Sequence, residues 1–300
     1  MGDILVGTSS WTDKTLLDSG WYPDDASSAK ARLAYYAARF PLVEVDATYY
    51  APASERNAVL WVERTPAEFT FNVKAFSLMT QHPTPVKALP KDLRSRAPDD
   101  KDRVYQKDLP SEVIDELFDM FRRALMPLHS AGKLGCVLFQ FPEWYTPARA
   151  NKAYIERCAE LLPDYRLAIE FRQRAWMDPP DAAERTLAWL RELRLPYVCL
   201  DMPQGFPSSM PPIAAATVDD LSVVRFHGRN TETWKKRGLT VAERFNYLYE
   251  ESELREWQPK LFDLAAQTRR THVLFNNCYR DNGVRNAAQL AALLADHPSA

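Results

Sequence analysis

A basic strand in the last third of the chain carries the strongest chemical signal in the sequence. Residues 222–229 read Ser-Val-Val-Arg-Phe-His-Gly-Arg, and we predict that they form the seventh β-strand. Because side chains alternate between the two faces of a strand, Arg225, His227 and Arg229 should share one face. Guanidinium groups and an imidazole on one face can bind an anion and move a proton. We therefore predict an anion site with His227 as its acid or electrophile.

Polar side chains also stand at the ends of other predicted strands. In an α/β barrel these ends meet at one mouth, where the active sites of that fold lie. We predict four catalytic residues at this mouth: Glu170, His227, Lys74 and Asp201. We predict ligand binding by a further set: Arg172, Arg229, Asn276, Asn277, Asp46, Gln140, Trp11, Tyr49 and Trp176. His227 is expected to have Asp201 and Asn276 as neighbours on adjacent strands.

The same charged residues also have a structural interpretation, because buried ionisable groups must be paired. In that interpretation Glu44, Glu170 and Asp201 neutralise Lys74, Arg172 and Arg225 in the interior, and we favour it for Glu44 and Arg225, which lie deeper in their strands. For Asp46 and Asp201 the structural and functional interpretations both stay open. Aromatic residues near the strand ends could stack a sugar or a nucleobase, or pack the loops onto the fold.

The elements that would position these residues form a regular series. Apolar runs typical of strands cover residues 4–8, 42–47, 69–75, 135–141, 166–171, 196–201, 222–229 and 271–276. Helical patterns separate them, which indicates βαβ units and favours an α/β fold, a TIM-like (β/α)8 barrel in a single domain over residues 1–300. A doubly wound open sheet is the alternative, but no Gly-x-Gly-x-x-Gly turn follows the first strand.

One long segment interrupts the series. Residues 76–110 are rich in Pro, Lys, Arg and Asp and are predicted as a long loop after the third strand. His82 lies in this segment and could reach the mouth of the barrel.

Net charge, cysteine content and the lengths of apolar runs limit the classes of protein to which this chain can belong. The net charge is −2 with a pI near 6.3, so no global basic field attracts nucleic acid. The four cysteines are scattered without a Cys-x-x-Cys pair, which indicates a reducing compartment. The sequence starts without a signal-peptide pattern and has no apolar run of membrane-spanning length. We expect a cytoplasmic protein with no membrane partner.

Seven short motifs carry a family resemblance. They are Gly-Thr-Ser-Ser-Trp at 7–11, Val-Glu-Val-Asp-Ala-Thr-Tyr-Tyr at 43–50, Phe-Asn-Val-Lys-Ala at 71–75, Phe-Gln-Phe-Pro at 139–142, Ile-Glu-Phe-Arg at 169–172, Val-Arg-Phe-His-Gly-Arg at 224–229 and Leu-Phe-Asn-Asn at 274–277. In this order the chain resembles the YecE-like proteins, the domain of unknown function 72. The resemblance implies a TIM-barrel-like fold and leaves the activity open.

Three hypotheses about function follow. The first is a hydrolase or isomerase acting on a small anion, such as a phosphorylated sugar or nucleotide, with Glu170 as general base. The second is a nucleic-acid phosphodiesterase or repair-like enzyme, in which Glu170, Asp201 and His227 bind a divalent metal. The third is a non-catalytic ligand-binding barrel. The spacing of the residues indicates no metal site and identifies no cofactor, and we favour the first hypothesis, with nucleic acid the less favoured partner.

Overall fold

The computed structural model describes residues 1–296. Its strands are β1 Asp3–Thr8, β2 Leu42–Val45, β3 Thr70–Lys74, β4 Thr84–Pro85, β5 Arg103–Val104, β6 Leu134–Gln140, β7 Leu167–Glu170, β8 Val198–Asp201, β9 Leu221–Phe226 and β10 Arg270–Phe275. Its α-helices are α1 Lys14–Leu17, α2 Ala29–Ala37, α3 Glu55–Glu63, α4 Lys91–Arg94, α5 Ser111–Ser130, α6 Arg149–Leu161, α7 Pro180–Glu192, α8 Thr231–Trp234, α9 Val241–Arg244, α10 Glu251–Gln267 and α11 Asn282–Ala295. Within residues 1–296, no helix combines the length and the apolar character that crossing a membrane requires.

The eight longer strands run parallel and are separated by helices, so the predicted α/β, TIM-like fold class is confirmed. Each of the eight predicted strands is present. The basic strand ends at Phe226, three residues earlier than predicted, because the chain turns at Gly228 with φ +84°. The segment 76–110 is more ordered than a loop, since it contains α4 and the antiparallel pair of β4 and β5.

The chain divides into two compact units. The first combines Met1–Glu44 with the chain from Arg174 onward, and its strands pair in the order β2-β1-β10-β9-β8. Its register is continuous: Phe226 pairs with Asp201 of β8 and with Phe275 of β10. Side chains on one rung of a parallel sheet point the same way, so these three share a face.

The second unit is Val45–Gln173, in which the strands pair in the order β3-β6-β7. The long helix α5 buries an apolar stripe of Val113, Leu117, Phe121 and Leu128, the spacing expected of a helix with one face in the core. The turn after this helix is held by Lys133, whose ammonium donates to the carbonyl oxygens of Val62 and Thr65 at 2.9 and 2.8 Å.

A buried ion pair lies in the core of the first unit. The Arg225 Nη2 atom donates to Glu44 Oε1 at 2.5 Å, and both side chains are 0% exposed. The same guanidinium lies 3.5 Å from the hydroxyl of Ser9. Glu44 and Arg225 are therefore paired with each other, in line with the structural interpretation favoured for both, and the pair is placed where neither charge can be hydrated.

Breaking this pair should cost far more stability than breaking a surface pair. Glu44→Gln removes a buried anion that pairs with Arg225, so we expect the free energy of unfolding in urea to fall by about 3–5 kcal/mol. The control is Asp181→Asn, which breaks an Arg185 pair whose side chains are 67% and 62% exposed and should change stability little, because solvent screens such a surface pair. Equal losses in the two variants would contradict a structural role for the buried pair.

Candidate functional site

The unit Val45–Gln173 gathers five of the predicted site residues, together with His82, around strand ends. Gln140 pairs in register with Glu170, and Lys74 pairs with Leu138, two residues before Gln140. The two-residue period puts Lys74, Gln140 and Glu170 on one face. We call the group formed by Asp46, Lys74, His82, Gln140, Glu170 and Arg172 the Lys74 cluster.

Arg172 and Glu170 form the buried part of the Lys74 cluster. Arg172 Nε donates to Glu170 Oε1 at 2.5 Å, with the arginine 9% and the glutamate 0% exposed. Arg172 Nη2 lies 3.5 Å from Gln140 Oε1, at the outer limit of a hydrogen bond. The carboxylate thus holds the guanidinium at the strand end, where a small part of it remains accessible.

Lys74 forms the second cationic position. Its Nζ lies 3.3 Å from Asp46 Oδ1 and 4.8 Å from the centroid of the Tyr49 ring. The 3-10 segment Asp46–Tyr49 is fixed to β3, because the Thr48 hydroxyl donates to the Lys74 carbonyl oxygen at 2.6 Å. The predicted ligand residues Asp46 and Tyr49 therefore lie beside the predicted catalytic residue Lys74.

His82 is the member of the cluster that the sequence pointed to most weakly. Its ring lies 5.2 Å from the Tyr49 ring, edge to face, and its Nδ1 is 2.9 Å from the Thr80 hydroxyl. Burial, and then the positive charges of Lys74 and Arg172, lower the pKa of His82 to about 3. The imidazole is therefore neutral near pH 7. His82 follows the 3-10 turn Ser77–Thr80, and its backbone N–H donates to the Ser77 carbonyl oxygen at 3.1 Å.

His227 and Asn276 meet in the other unit, as predicted. They follow the paired residues Phe226 and Phe275, and the Asn276 amide nitrogen lies 2.9 Å from His227 Nδ1. His227 is buried, with the rings of Phe245 and Trp234 at 5.7 and 6.4 Å. When the amide donates to Nδ1, the imidazole carries its proton on Nε2. The role of His227 as acid or electrophile stays a prediction.

Asp201 and Arg229 are in a different place from the one expected. Asp201 shares a rung with Phe226, so its side chain points to the Phe226 face and away from the face of Arg225. There its oxygens accept from Tyr249 Oη at 2.6 Å, Trp257 Nε1 at 2.7 Å and Arg229 Nη2 at 2.8 Å. The expectation that this carboxylate side chain neighbours His227 is wrong. Only its backbone oxygen meets His227, accepting from the histidine N–H at 2.8 Å.

Arg229 completes what we call the Arg229 network, formed by Asp201, Arg229, Tyr249, Glu253, Glu256 and Trp257. Besides Asp201, its guanidinium contacts Glu253 at 3.3 Å and Glu256 at 2.9 Å. Desolvation acts against its charge, but hydrogen bonds to Asp201 and Glu256 raise the pKa of Arg229 overall. Three carboxylates around one guanidinium favour an anchor for α10 over a receptor for an external anion.

Three further predicted ligand residues have structural surroundings. Asn277 is buried and donates to the Tyr247 carbonyl oxygen and to Asn286 Oδ1, both at 2.9 Å. Trp176 is 0% exposed and stacks on Trp189 at 5.8 Å, which leaves no ring surface for a ligand. Trp11 is buried too. We predicted these residues as ligand contacts because they lie close to strand ends. A position close to a strand end does not determine the direction in which the side chain points.

Metal binding finds no support in the side-chain geometry. Nowhere in residues 1–296 do three or more His, Cys, Asp or Glu side chains come together as metal ligands would. The metal-dependent hypothesis therefore gains nothing from the arrangement of Glu170, Asp201 and His227.

The low pKa of His82 predicts a dependence of stability on pH. In the unfolded chain His82 binds a proton below its ordinary pKa of 6.5, whereas in the folded chain it does so only near 3. The unfolded state therefore takes up protons first, so stability falls as the pH drops from about 6.5 towards 3. His272, which complete burial holds at a pKa of about 3, adds a second contribution of the same sign.

We expect each histidine to contribute at most about 1.4 kcal/mol per pH unit in this range. Urea denaturation of the wild type and of His82→Asn at pH 7.0, 6.0 and 5.0 measures the contribution of His82. The variant should show the shallower loss of stability on acidification. Parallel curves for the two proteins would show that His82 is not held neutral by the fold.

Asp201 should act on folding and not on ligand binding. Asp201→Ala removes the common acceptor of Arg229, Tyr249 and Trp257, so we expect the free energy of unfolding to drop by about 3–5 kcal/mol. The control is Asp178→Ala, whose partner Arg174 is 41% exposed and which should cost less than about 1 kcal/mol. If Asp201→Ala were as stable as the control, a catalytic role would have to be reconsidered.

Comparison with known proteins places the chain in a family. The family model described as "Protein of unknown function DUF72" matches residues 5–300. The UPF0759 protein YunF of Bacillus subtilis is 35% identical over 294 residues, covering 97% of this chain and 94% of YunF. A DUF72 family protein from Thermotoga maritima is 29% identical with a TM-score of 0.77, covering 98% of this chain and 100% of that one.

A second solved structure, a DUF72 family protein from Enterococcus faecalis, superposes with a TM-score of 0.79 at 23% identity. This match covers 99% of this chain and 97% of that one, and it supports the fold alone. The motifs that suggested the resemblance lie in the matched region. The chain belongs to the DUF72 family.

Proposed function

We propose that this DUF72 protein is an enzyme of hydrolase or isomerase type that acts on a small anionic molecule at the Lys74 cluster. One observation carries the proposal: two cations, Lys74 paired with Asp46 and Arg172 paired with Glu170, lie at or just after the carboxyl ends of the outer strands of the β3-β6-β7 sheet. In folds of this class the carboxyl ends of the strands are where substrates bind. Phosphorylated sugars and nucleotides are the ligands that this charge pattern suits.

The two cationic side chains are preorganised for anion binding. Lys74 and Arg172 are 11% and 9% exposed, and a carboxylate holds each in place. A phosphate or carboxylate ligand would therefore meet side chains whose rotamers are already fixed, which lowers the entropy cost of binding. The guanidinium fork suits two oxygens of such a ligand, and the ammonium adds a point charge.

Glu170 is our candidate for the general base. It lies on the same face as Lys74 and Gln140, and its Arg172 partner fixes its orientation. A positioned carboxylate can take a proton from a bound substrate, a contribution typically worth 10²–10⁴-fold in rate. A reducing, cytoplasmic location is part of the proposal and is supported by Cys136, Cys158 and Cys199, which are buried as thiols.

Anion binding is tested by titration calorimetry with ribose 5-phosphate and the four common nucleoside 5′-monophosphates. We expect Lys74→Met and Arg172→Met each to weaken binding by at least tenfold, because each removes one cationic contact. The matched control is Arg96→Met, which also removes an arginine paired with a glutamate, Glu116, but at the surface. Thermal melts of each variant show whether it is folded.

Two results would overturn this binding site. One is that no probe binds the wild type, and the other is that folded Lys74→Met binds as tightly as Arg96→Met. Lys74→Met is the safer variant, because Arg172→Met removes a buried cation that pairs with Glu170 and therefore reduces stability as well.

Catalysis needs a separate test on a ligand that binds. Glu170→Gln keeps the shape of the side chain and removes the base, so turnover should fall by a factor of 100 or more while the dissociation constant changes little. Unchanged turnover would remove Glu170 from the mechanism. Binding without any turnover in the wild type would instead favour the non-catalytic barrel.

A further inference from the structure

A row of rings borders the Lys74 cluster. Tyr50, Tyr49, His82 and Trp144 follow one another with centroid distances of 5.0, 5.2 and 6.0 Å. Each ring meets the next nearly edge to face, at interplanar angles of 86°, 82° and 69°. We call these four residues the aromatic row. All four lie within the unit Val45–Gln173.

The two ends of the aromatic row are unusually open to solvent. Trp144 is 57% and Tyr50 60% exposed, whereas the larger rings of this fold are mostly buried. Tyr105 is the remaining strongly exposed aromatic residue in the described chain, and it is not part of the row. Exposed aromatic surface beside a polar site is typical of a place where a ligand covers the rings.

The middle of the row connects it to the charges. The Lys74 Nζ atom lies 4.8 Å from the centroid of the Tyr49 ring. Burial, and then the positive charges of Lys74 and Arg172, lower the pKa of His82. An anion bound by the two cations therefore lies next to the inner rings. Because His82 stays neutral, it adds an uncharged flat surface to the row.

Distance along the row distinguishes two kinds of ligand. Trp144 is two ring-to-ring steps, of 5.2 and 6.0 Å, beyond the Tyr49 ring that Lys74 contacts. A sugar phosphate carries its ring directly next to its phosphate and would end near Tyr49 or His82. A nucleotide places a pentose between phosphate and base, so its base extends further, towards the exposed indole.

We infer that the ligand of the Lys74 cluster is a nucleotide whose base stacks on Trp144, with its phosphate on Lys74 and Arg172. This inference rests on the proposed function for the position of the phosphate. It narrows the substrate class from phosphorylated small molecules in general to nucleotides. The physical basis is that an indole is a large flat surface that stacks any base in a sequence-tolerant way.

Titration calorimetry with matched ligands tests the inference. The tightest-binding nucleoside 5′-monophosphate should bind the wild type at least tenfold more tightly than ribose 5-phosphate, since only the nucleotide gains the stacking contact. Trp144→Ala should remove this difference and leave the affinity for ribose 5-phosphate unchanged. Trp144→Phe, which keeps a flat ring, should restore much of the preference. Tyr105→Ala is the control for loss of an exposed ring.

The outcomes separate the inference from the proposed function. If ribose 5-phosphate and the nucleotides bind with equal affinity, and Lys74→Met weakens both, the anion site stands and the nucleotide inference is wrong. If the nucleotide preference persists in Trp144→Ala, base stacking on Trp144 is wrong. If no phosphate binds at all, the proposed function fails and the inference fails with it.

Discussion

Parallel strands that are buried on both faces give a charged side chain no route to water. In β2, β7 and β8 every residue is buried, yet these strands carry Glu44, Glu170 and Asp201. A carboxylate in such a place must be paired with a cation or saturated with hydrogen bonds, because leaving it alone costs several kcal/mol. The rest of the charged architecture follows from this constraint. Arg225, Arg172 and Arg229 are the cations that meet it.

The three carboxylates meet the constraint in different ways, and the differences separate structural from functional roles. Glu44 is paired in the core, where neither charge is accessible. Asp201 accepts from Tyr249, Trp257 and Arg229, which link β8 to α10. Glu170 instead holds an arginine that keeps 9% of its side chain exposed, and the Lys74–Asp46 pair of the same cluster is 11% and 29% exposed. In the proposed function a ligand would meet the accessible parts of Arg172 and Lys74, while Glu170 stays paired.

Family membership fits this division. A relative with 35% identity over nearly the whole chain fixes the fold class, and solved DUF72 structures share it. A shared barrel does not specify a reaction, since the same fold hosts many chemistries. Function therefore has to be argued from the side chains at the strand ends. Here those are the Lys74 cluster and the aromatic row beside it.

Much of the fold could be predicted from local patterns. Apolar runs gave the eight strands, because a strand buried on both faces is apolar along its length. The two-residue period also put Lys74 and Glu170 on a common face, and the neighbours His227 and Asn276 on adjacent strands. The strands and the faces of their side chains depend on short-range geometry, which a sequence carries directly, and the adjacency of consecutive strands follows from the repeated βαβ units. They supplied the best part of the candidate site.

The rest was decided by contacts between residues far apart in the chain. The register between β8 and β9 pairs Asp201 with Phe226, so the Asp201 side chain lies on the Phe226 face. No local sequence pattern specifies that register. The positive φ of Gly228 directed Arg229 towards Glu253 and Glu256 on α10. His82 reached the cluster only because its loop folds back. The sequence by itself determined the strands and the types of residue at their ends, while tertiary structure decided which of those residues meet, because side-chain partners are set by packing across the whole fold.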